Sequence, residues 1–416
     1  MQFIQRKVYF DLKEHLTKPE ISLILGPRQA GKTTIMKRLA SNLEEKGQKT
    51  VYFNLDVIED RQYFRSQNFL WEKIKSSLGV KKGVVFIDEI QRLTNAGLFL
   101  KGLYDLSTGI KFIVSGSGSL ELKENIIEPM TGRKRIFYCL PISFTEYATY
   151  KLATTFREVS KLLLLNLMET ERIVTEYLFW GGYPRVVLAD TQDAKWEILK
   201  EIFQSYLEKD IQLMLGVEKE ASFSDLVKIL SGQVGNLLNR KELSRTLGVA
   251  EKTIEKYLYF LEKTFVTKRV KPFYRNPRKE ITKAPKIYFQ DLGFLTLARG
   301  VKPDLKQIDG GRFENACLLR LTEIPALDEP FFWRSSSGAE VDFVLNAGSE
   351  KIVPFEVKLT AEAGFTLGKS LYSFAEKYKT KEIFIWNLKR KEEEVKRKLT
   401  VNYLPFHELP DLTGLF

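Results

Sequence analysis

The chain has 416 residues, of which 44% are hydrophobic, 28% charged and 12% aromatic. That is enough for two to four domains with packed cores, and it excludes a disordered tail or a collagen. Lys plus Arg (65) exceed Asp plus Glu (53) by 12, for a pI near 9.3, which makes polyanions the leading candidate partners and a solvated Lys/Glu-rich surface the plain alternative.

Apolar runs such as Leu162 to Leu165 fall far short of the about 20 residues of a bilayer-spanning helix, so no membrane role is expected. The opening MQFIQRKVYF has no apolar signal region, and Cys139 and Cys317 lie too far apart in sequence for a disulfide framework. A cytoplasmic location follows as an expectation, with both cysteines acting as small buried hydrophobes.

Up to about residue 141, short β-type runs alternate with helical stretches: Ile21–Leu25, Thr50–Leu55, Val84–Ile87, Lys111–Val114 and Arg135–Leu140. The alternation predicts a doubly wound, parallel α/β sheet. After the first run comes Gly26-Pro27-Arg28-Gln29-Ala30-Gly31-Lys32-Thr33-Thr34, a G-x-x-x-x-G-K-T match between a strand and a helix. Glycines there let backbone N–H groups curl around phosphate oxygens at a helix N-terminus. Lys32 would reach the β/γ-phosphates and Thr33 would ligate Mg²⁺. All nine residues are candidates for binding ATP or ADP. The run Val84-Val-Phe-Ile-Asp88-Glu89 reads as a buried strand ending in acids, Asp88 for the Mg²⁺ shell and Glu89 for activating the attacking water. At the end of KFIV, Ser115 or Ser117 is a candidate γ-phosphate sensor, against the plain reading of a Ser/Gly turn.

The strand at Thr50–Leu55 intervenes between the two motifs, an arrangement that resembles the additional-strand class of P-loop ATPases. With GPRQAGKTT, FIDEIQ, VSGSGS, GRKRIFYCLPISFTEY and GGYPR, the first half is similar to prokaryotic AAA-type ATPases allied to the STAND nucleotide switches. The resemblance implies an arginine finger at Arg133, acting on a neighbouring subunit and hence in a homo-oligomer. It also implies a helical lid whose Gly181, Gly182 and Pro184 approach the nucleotide and report ADP against ATP, the plain alternative being a helix-breaking turn. Residues 142–220 read almost entirely helical, as such a lid requires.

Asn239 to Leu258 reads as helix, Gly-containing turn, helix, with Leu243, Leu247, Val249, Ile254, Leu258 and Leu261 inward, within a unit spanning 221–307. Outward Lys252, Thr253, Lys256 and Tyr259 are diluted by Glu251 and Glu255. From Lys268 to Lys286 eight basic residues face one acid, Glu280. A two-stranded wing carrying Arg275, Arg278 and Lys279 would track DNA phosphates without reading sequence, although winged helices also serve as protein-docking modules.

Beyond 308 the order reads helix, three strands, helix, strand, and the run KRKEEEVKRK reads as a solvated helix. Glu340 and Asp342 share a face of one strand, Glu356 and Lys358 a face of the next, and Glu314 lies on the preceding helix. Carboxylates with a lysine suit metal-dependent phosphodiester hydrolysis, with Asp342, Glu356 and Glu314 as ligands of a second Mg²⁺ or Mn²⁺ and Lys358 acting on the water. The region resembles the PD-(D/E)xK nuclease superfamily, its resolvases most closely, with valine rather than proline before Asp342. The expectation is therefore an α/β multidomain chain: an AAA-type ATPase core (1–141), a helical lid (142–220), a winged helix with basic wing (221–307) and a restriction-endonuclease-like domain (308–416). ATP binding and hydrolysis would control DNA binding and cleavage by the C-terminal half. The alternative is a nucleotide-state switch or scaffold whose nuclease-like domain is inactive.

Overall fold

The computed structural model describes residues 3–79, 82–106, 109–117, 130–207, 220–274, 283–324, 329–346, 352–361, 365–410 and 412. In the N-terminal part, β1 (Ile21–Gly26), β2 (Thr50–Asn54), β3 (Gly83–Asp88), β4 (Ile110–Ser117) and β5 (Lys134–Tyr138) form one parallel sheet in the order β2-β3-β4-β1-β5. Strands β1 and β4 are buried along their whole length, which explains their near-continuous apolar runs. On one face Ile35, Met36 and Leu39 of the helix Lys32–Glu44 pack on Ile24, Phe86 and Ile113. On the other, Leu70, Ile74, Leu100 and Leu103 pack on Leu23, Val85 and Val114. This is the expected doubly wound arrangement. The strand lying between β1 and β3 is β4, whereas β2, the strand that intervenes in sequence, is at the sheet edge. The interposed strand therefore places Ser115 beside both motifs.

Helices Phe144–Lys151, Val159–Leu165, Leu167–Trp180 and Gln192–Tyr206 follow, broken at Gly181, where φ is 68°. Next come helices Glu220–Gly232, Arg240–Leu247 and Glu251–Lys263, then an antiparallel pair, β6 (Thr267–Val270) and β7 (Lys286–Phe289). Gly248 turns the chain between the second and third of these helices at φ 63°, a conformation that costs glycine little. Leu243, Ile254, Leu258 and Leu261 are buried as expected, while Leu247 and Val249 are half-buried. Helices Leu292–Ala298 and Gly310–Leu321 lead into the C-terminal sheet.

That sheet contains β8 (Phe331–Arg334), β9 (Glu340–Asn346), β10 (Ile352–Val357), β11 (Glu382–Asn387), β12 (Glu392–Lys396) and β13 (Leu399–Pro405), in the order β12-β13-β11-β10-β9-β8. Strand β9 runs antiparallel to both β8 and β10, and β11 runs parallel to β10 after the helix Lys369–Tyr378. The expected solvated helix in KRKEEEVKRK is instead the edge strand β12. Arg397 and Lys398 both take positive φ (50° and 69°), the two-residue geometry that a tight hairpin needs, and no Asn-Gly signal announces it. Arg390, just before β12, lies over the Tyr403 ring of β13 at 3.6 Å and pairs with Glu392 and Glu394 of β12.

One apolar core runs from Ile142 and Phe144 through Leu230 and Val270 to Phe313, Phe355 and Phe406. The helical segment, the β6–β7 pair and the C-terminal sheet thus share buried surface. Arg320 seals the joint: its guanidinium lies over Phe144, donates to the Phe406 carbonyl (3.2 Å) and pairs with Glu323 at 2.8 Å. Cys139 and Cys317 are both free and fully buried.

Candidate functional site

The loop after β1 turns on two residues with positive φ, Gln29 (60°) and Gly31 (98°), and delivers the chain into the helix Lys32–Glu44. Gly26 is required where it stands, because a Cβ there would lie 2.0 Å from the Cys139 carbonyl oxygen on the neighbouring strand. Lys32 is buried, with Nζ donating to the carbonyls of Gly26 (3.0 Å) and Pro27 (2.7 Å). Burial lowers its pKa, against the nearby carboxylates of Glu89 and Asp88. Ala30 is buried, Arg28 half-buried and Thr34 exposed.

Asp88 collects three hydroxyls. Thr33 donates to Oδ2 at 2.7 Å, Tyr52 donates to the same oxygen at 2.9 Å, and Ser115 donates to Oδ1. Ser115 also accepts from the Glu89 N–H at 3.2 Å. Glu89 sits in the left-handed region (φ 60°, ψ 44°), a strained position for a non-glycine residue, and its carboxylate accepts from Gln91. Gln91 in turn accepts from the Ser117 N–H at 3.2 Å, while the buried Ser117 hydroxyl has no protein partner. A threonine hydroxyl and an aspartate carboxylate at this separation are hard oxygen donors of the kind magnesium takes.

The turn Gly181 to Pro184 abuts this loop: a side chain added at Gly31 would meet Pro184 at 3.6 Å. Arg185 donates to the Gln29 side chain at 3.2 Å and pairs with Glu201 at 2.8 Å. Behind the turn, the Gly182 N–H donates to Asp291 Oδ2 at 2.7 Å, and Asp291 also caps the helix Leu292–Ala298 through the Phe294 N–H (2.9 Å). Tyr183 is core, edge-on to Phe294.

Arg133 is anchored to Asp105 of the same chain at 2.9 Å. Lys252 and Lys256 are exposed, whereas Thr253 and Tyr259 are half-buried. Arg275, Arg278 and Lys279 lie outside the described residues. The expected density of free charge on the wing needs correction, because three of its basic residues are held by acids. Lys268 pairs with Glu329 (3.3 Å), Arg269 with Glu255 (2.8 Å) and Glu262 (2.6 Å), and Lys286 with Glu314 (3.3 Å) and Glu340 (2.5 Å). Sequence distance hid those acids from a local charge count.

At the C-terminal sheet, the register Phe343↔Phe355 places Asp342 and Glu356 opposite one another at the next step of the β9–β10 pair. Asp342 accepts from the Val357 N–H at 2.8 Å, and Glu356 Oε1 pairs with Lys358 at 2.6 Å. Glu356 Oε2 is buried without a partner. Tyr288 donates to Glu314 at 2.6 Å. Burial, with Asp342 adding to it, pushes the carboxyls of Glu314 and Glu356 up to about 7 each, and burial raises Asp342. Among the described residues no three acid, His or Cys side chains are arranged to hold a metal ion. The donors are chemically suited to one, but the ammonium of Lys286 stands between Glu314 and Glu340.

Comparison with known proteins bears on the first of these two centres. Residues 18–148 match an AAA domain. That match spans the parallel sheet and both of its motifs. Residues 171–305 and 309–409 match two domains of unknown function, DUF8612 and DUF4143. The chain is similar to an uncharacterized protein of Haemophilus influenzae (27% identity over 293 residues, 68% of this chain and 70% of the relative). It is also similar to the uncharacterized proteins Rv2008c of Mycobacterium tuberculosis (26% over 356 residues, 84% and 73%) and MJ1544 of Methanocaldococcus jannaschii (23% over 350 residues, 82% and 76%). Among solved structures it matches the Aeropyrum pernix ORC2 protein in its ADP form, at TM-score 0.34 and 13% identity over 68% of this chain and 90% of that one. No helix among the described residues is long and apolar enough to cross a membrane.

Sequence reasoning missed Tyr52, Gln91, Arg185, Asp291 and Arg6. The first two follow a motif acid across a strand pair or by two residues, so the sheet order would have found them. Arg6 is buried and donates to the Ala30 carbonyl (3.1 Å) and to Glu146 (2.9 Å), fixing the phosphate loop from behind; nothing local marks it.

Asp291 gives a prediction with a sign. Burial pushes its carboxyl from 3.8 up to about 6 despite three backbone hydrogen bonds, so the folded state binds its proton more tightly than the unfolded state. Its contribution is therefore most favourable below about pH 4 and is lost as pH rises to about 6, by on the order of 3 kcal/mol. Denaturant unfolding of the parent and Asp291→Asn at pH 4 and pH 7 should show the parent's advantage shrinking as pH rises; an advantage that grows with pH would refute the assignment.

Proposed function

We propose that the AAA-type domain binds and hydrolyses Mg-ATP, and that its nucleotide state is passed through the Gly181–Pro184 turn to a DNA-facing C-terminal half. The observation that carries this reading is the convergence on Asp88 of Thr33, Tyr52 and Ser115, with Glu89 held next to it. Backbone N–H groups of Gly26 to Thr34 would cradle the phosphates, and Lys32, which now donates to its own loop, would turn to their oxygens. Magnesium, held by Thr33 and Asp88, would neutralise charge on those oxygens. Glu89 would orient and deprotonate the attacking water, with Gln91 fixing the carboxylate. Ser117, with its free buried hydroxyl, is the better sensor candidate, since Ser115 is committed to Asp88. Gly182 and Pro184, backed by Arg185 on Gln29, would report whether the loop is filled. Arg133 is the candidate finger toward a neighbouring copy, an action that requires release from Asp105.

The domains proposed are an ATPase core 1–141, a helical lid 142–220, a winged helix 221–307 and a nuclease-like domain 308–416. In support of the winged helix stand three helices followed by the β6–β7 pair; in support of the nuclease-like fold stand three antiparallel strands, a helix and a parallel strand. Asp342, Glu356 and Glu314 would hold a divalent ion there and Lys358 would act on the water. A specific observation favours the second reading, an inactive nuclease-like scaffold: Lys286 stands within the acidic centre.

Lys32→Ala should abolish ATP binding, measured by calorimetry. Glu89→Gln should retain binding and lose about a hundredfold or more in turnover, as expected for a missing general base. Hydrolysis by Glu89→Gln at the parent rate would remove Glu89 from its role. Duplex DNA binding should weaken steeply with salt and weaken alike on all sequences in Lys252→Glu/Lys256→Glu, read by fluorescence anisotropy. An affinity that ignores salt would end the DNA reading.

A further inference from the structure

The β6–β7 pair is built into the C-terminal sheet. Asn315, fully buried on the helix Gly310–Leu321, accepts from the Phe289 N–H (2.7 Å) and donates to the Phe289 carbonyl (2.8 Å). The chain after β6 pairs with the edge strand β8 through Phe273 N–H to the Phe332 carbonyl (2.6 Å) and Phe332 N–H to the Lys271 carbonyl (3.0 Å). Tyr288 packs against Phe343 and donates to Glu314. Strand β7 is therefore a fixed wall of the acidic centre.

From that wall Lys286 projects inward. It is 2% exposed, and its Nζ lies 2.5 Å from Glu340, 3.3 Å from Glu314 and 5.5 Å from the centre of the Phe332 ring. Burying an ammonium is costly unless carboxylates surround it. Here they do, and Glu314, Asp342 and Glu340 together outweigh the effect of burial, so the lysine stays charged. Gly235, whose N–H donates to the Ile287 carbonyl of β7 (3.0 Å), makes room beside Glu314, since a Cβ there would lie 2.9 Å from the Glu314 carboxylate.

We propose that Lys286 is the resident cation of the acidic centre, held by Glu314 and Glu340 where a divalent ion would bind, and that it keeps such an ion out until its side chain swings away. The inference rests on reading the centre as a hard-cation site. An ion that took Glu314 as a ligand would meet the Lys286 ammonium within a few ångströms, and the two positive charges would repel there. Withdrawing β7 would break the Asn315 pairings at Phe289 together with the β6–β7 ladder, whereas rotating the four-carbon stem of Lys286 breaks only its two ion pairs. The gate is therefore the side chain and not the strand.

The test is Mn²⁺ binding to the full chain without nucleotide, read as loss of the free-ion electron paramagnetic resonance signal. Asp342→Asn identifies which ion belongs to the centre. Lys286→Met should bind an Asp342-dependent Mn²⁺ about tenfold or more tightly than the parent. Equal affinities in the two proteins would overturn the gate while leaving the cation site standing. No Asp342-dependent ion in either protein would overturn both. Acylation of the parent by an N-hydroxysuccinimide ester, mapped by mass spectrometry, serves if the variant does not fold. Lys286 should be protected relative to Lys252 and Lys256 and become reactive as Mn²⁺ saturates the centre; reactivity equal to theirs before metal is added would contradict the proposal.

Discussion

The carboxylate of Asp291 is buried among backbone N–H groups, and much of the molecule is arranged so that it can be. It accepts from Gly182 on one side and Phe294 on the other, fixing the turn that faces the phosphate loop and the N-terminus of the helix Leu292–Ala298. The approach is so close that a Cβ at Gly181 would lie 2.4 Å from its oxygen, and one at Gly293 would lie 2.5 Å from the Trp180 carbonyl. Backbone meets backbone across this contact, so the turn cannot move without the helix. From there the connection continues: Thr296 donates to the Phe179 carbonyl (2.6 Å), and Arg312 donates to Thr296 (2.7 Å) and the Leu178 carbonyl (2.9 Å). Arg312 lies on the same helix as Glu314 and Asn315. Packed and hydrogen-bonded elements thus run from Pro184, beside the phosphate loop, to the acidic centre.

The two centres differ in how their charge is balanced. Around Asp88 the partners are neutral hydroxyls, which a metal and phosphates can rearrange at small cost. Around Asp342 the partners are ammonium groups. Lys286 and Lys358 answer four carboxylates, Glu314, Glu340, Asp342 and Glu356, with Arg334 reaching Glu340 at 3.4 Å from the rim. The first centre is held by neutral hydroxyls alone, and the second is largely satisfied by charges from within the chain.

Much of this was legible in the sequence because it is local. The phosphate loop, the strand ending in Asp88 and Glu89, the Gly181–Gly182 break and the Asp342/Glu356 strands each sit in a contiguous stretch whose periodicity declares its structure. What escaped is what the fold brings together. Lys286 counted as one more basic residue of a wing, because its acids are 28 and 54 positions away. Asp291 is locally only a helix N-cap; its burial and the Gly182 N–H are supplied by the tertiary structure. β12 misled for another reason: its charges fit a solvated helix, and the tight turn at Arg397–Lys398 has none of the residues that usually announce one.

The central claim is that filling the phosphate loop is felt across the Gly182–Asp291 contact. Hydrogen–deuterium exchange on the full chain, with and without a non-hydrolysable ATP analogue and Mg²⁺, tests it most directly. The account predicts changed protection in the loop Gly26–Thr34 together with Gly181–Pro184, the helix Leu292–Ala298 and strand β7. Changes confined to the parallel sheet and its loops, with the helix and β7 exchanging as before, would contradict it.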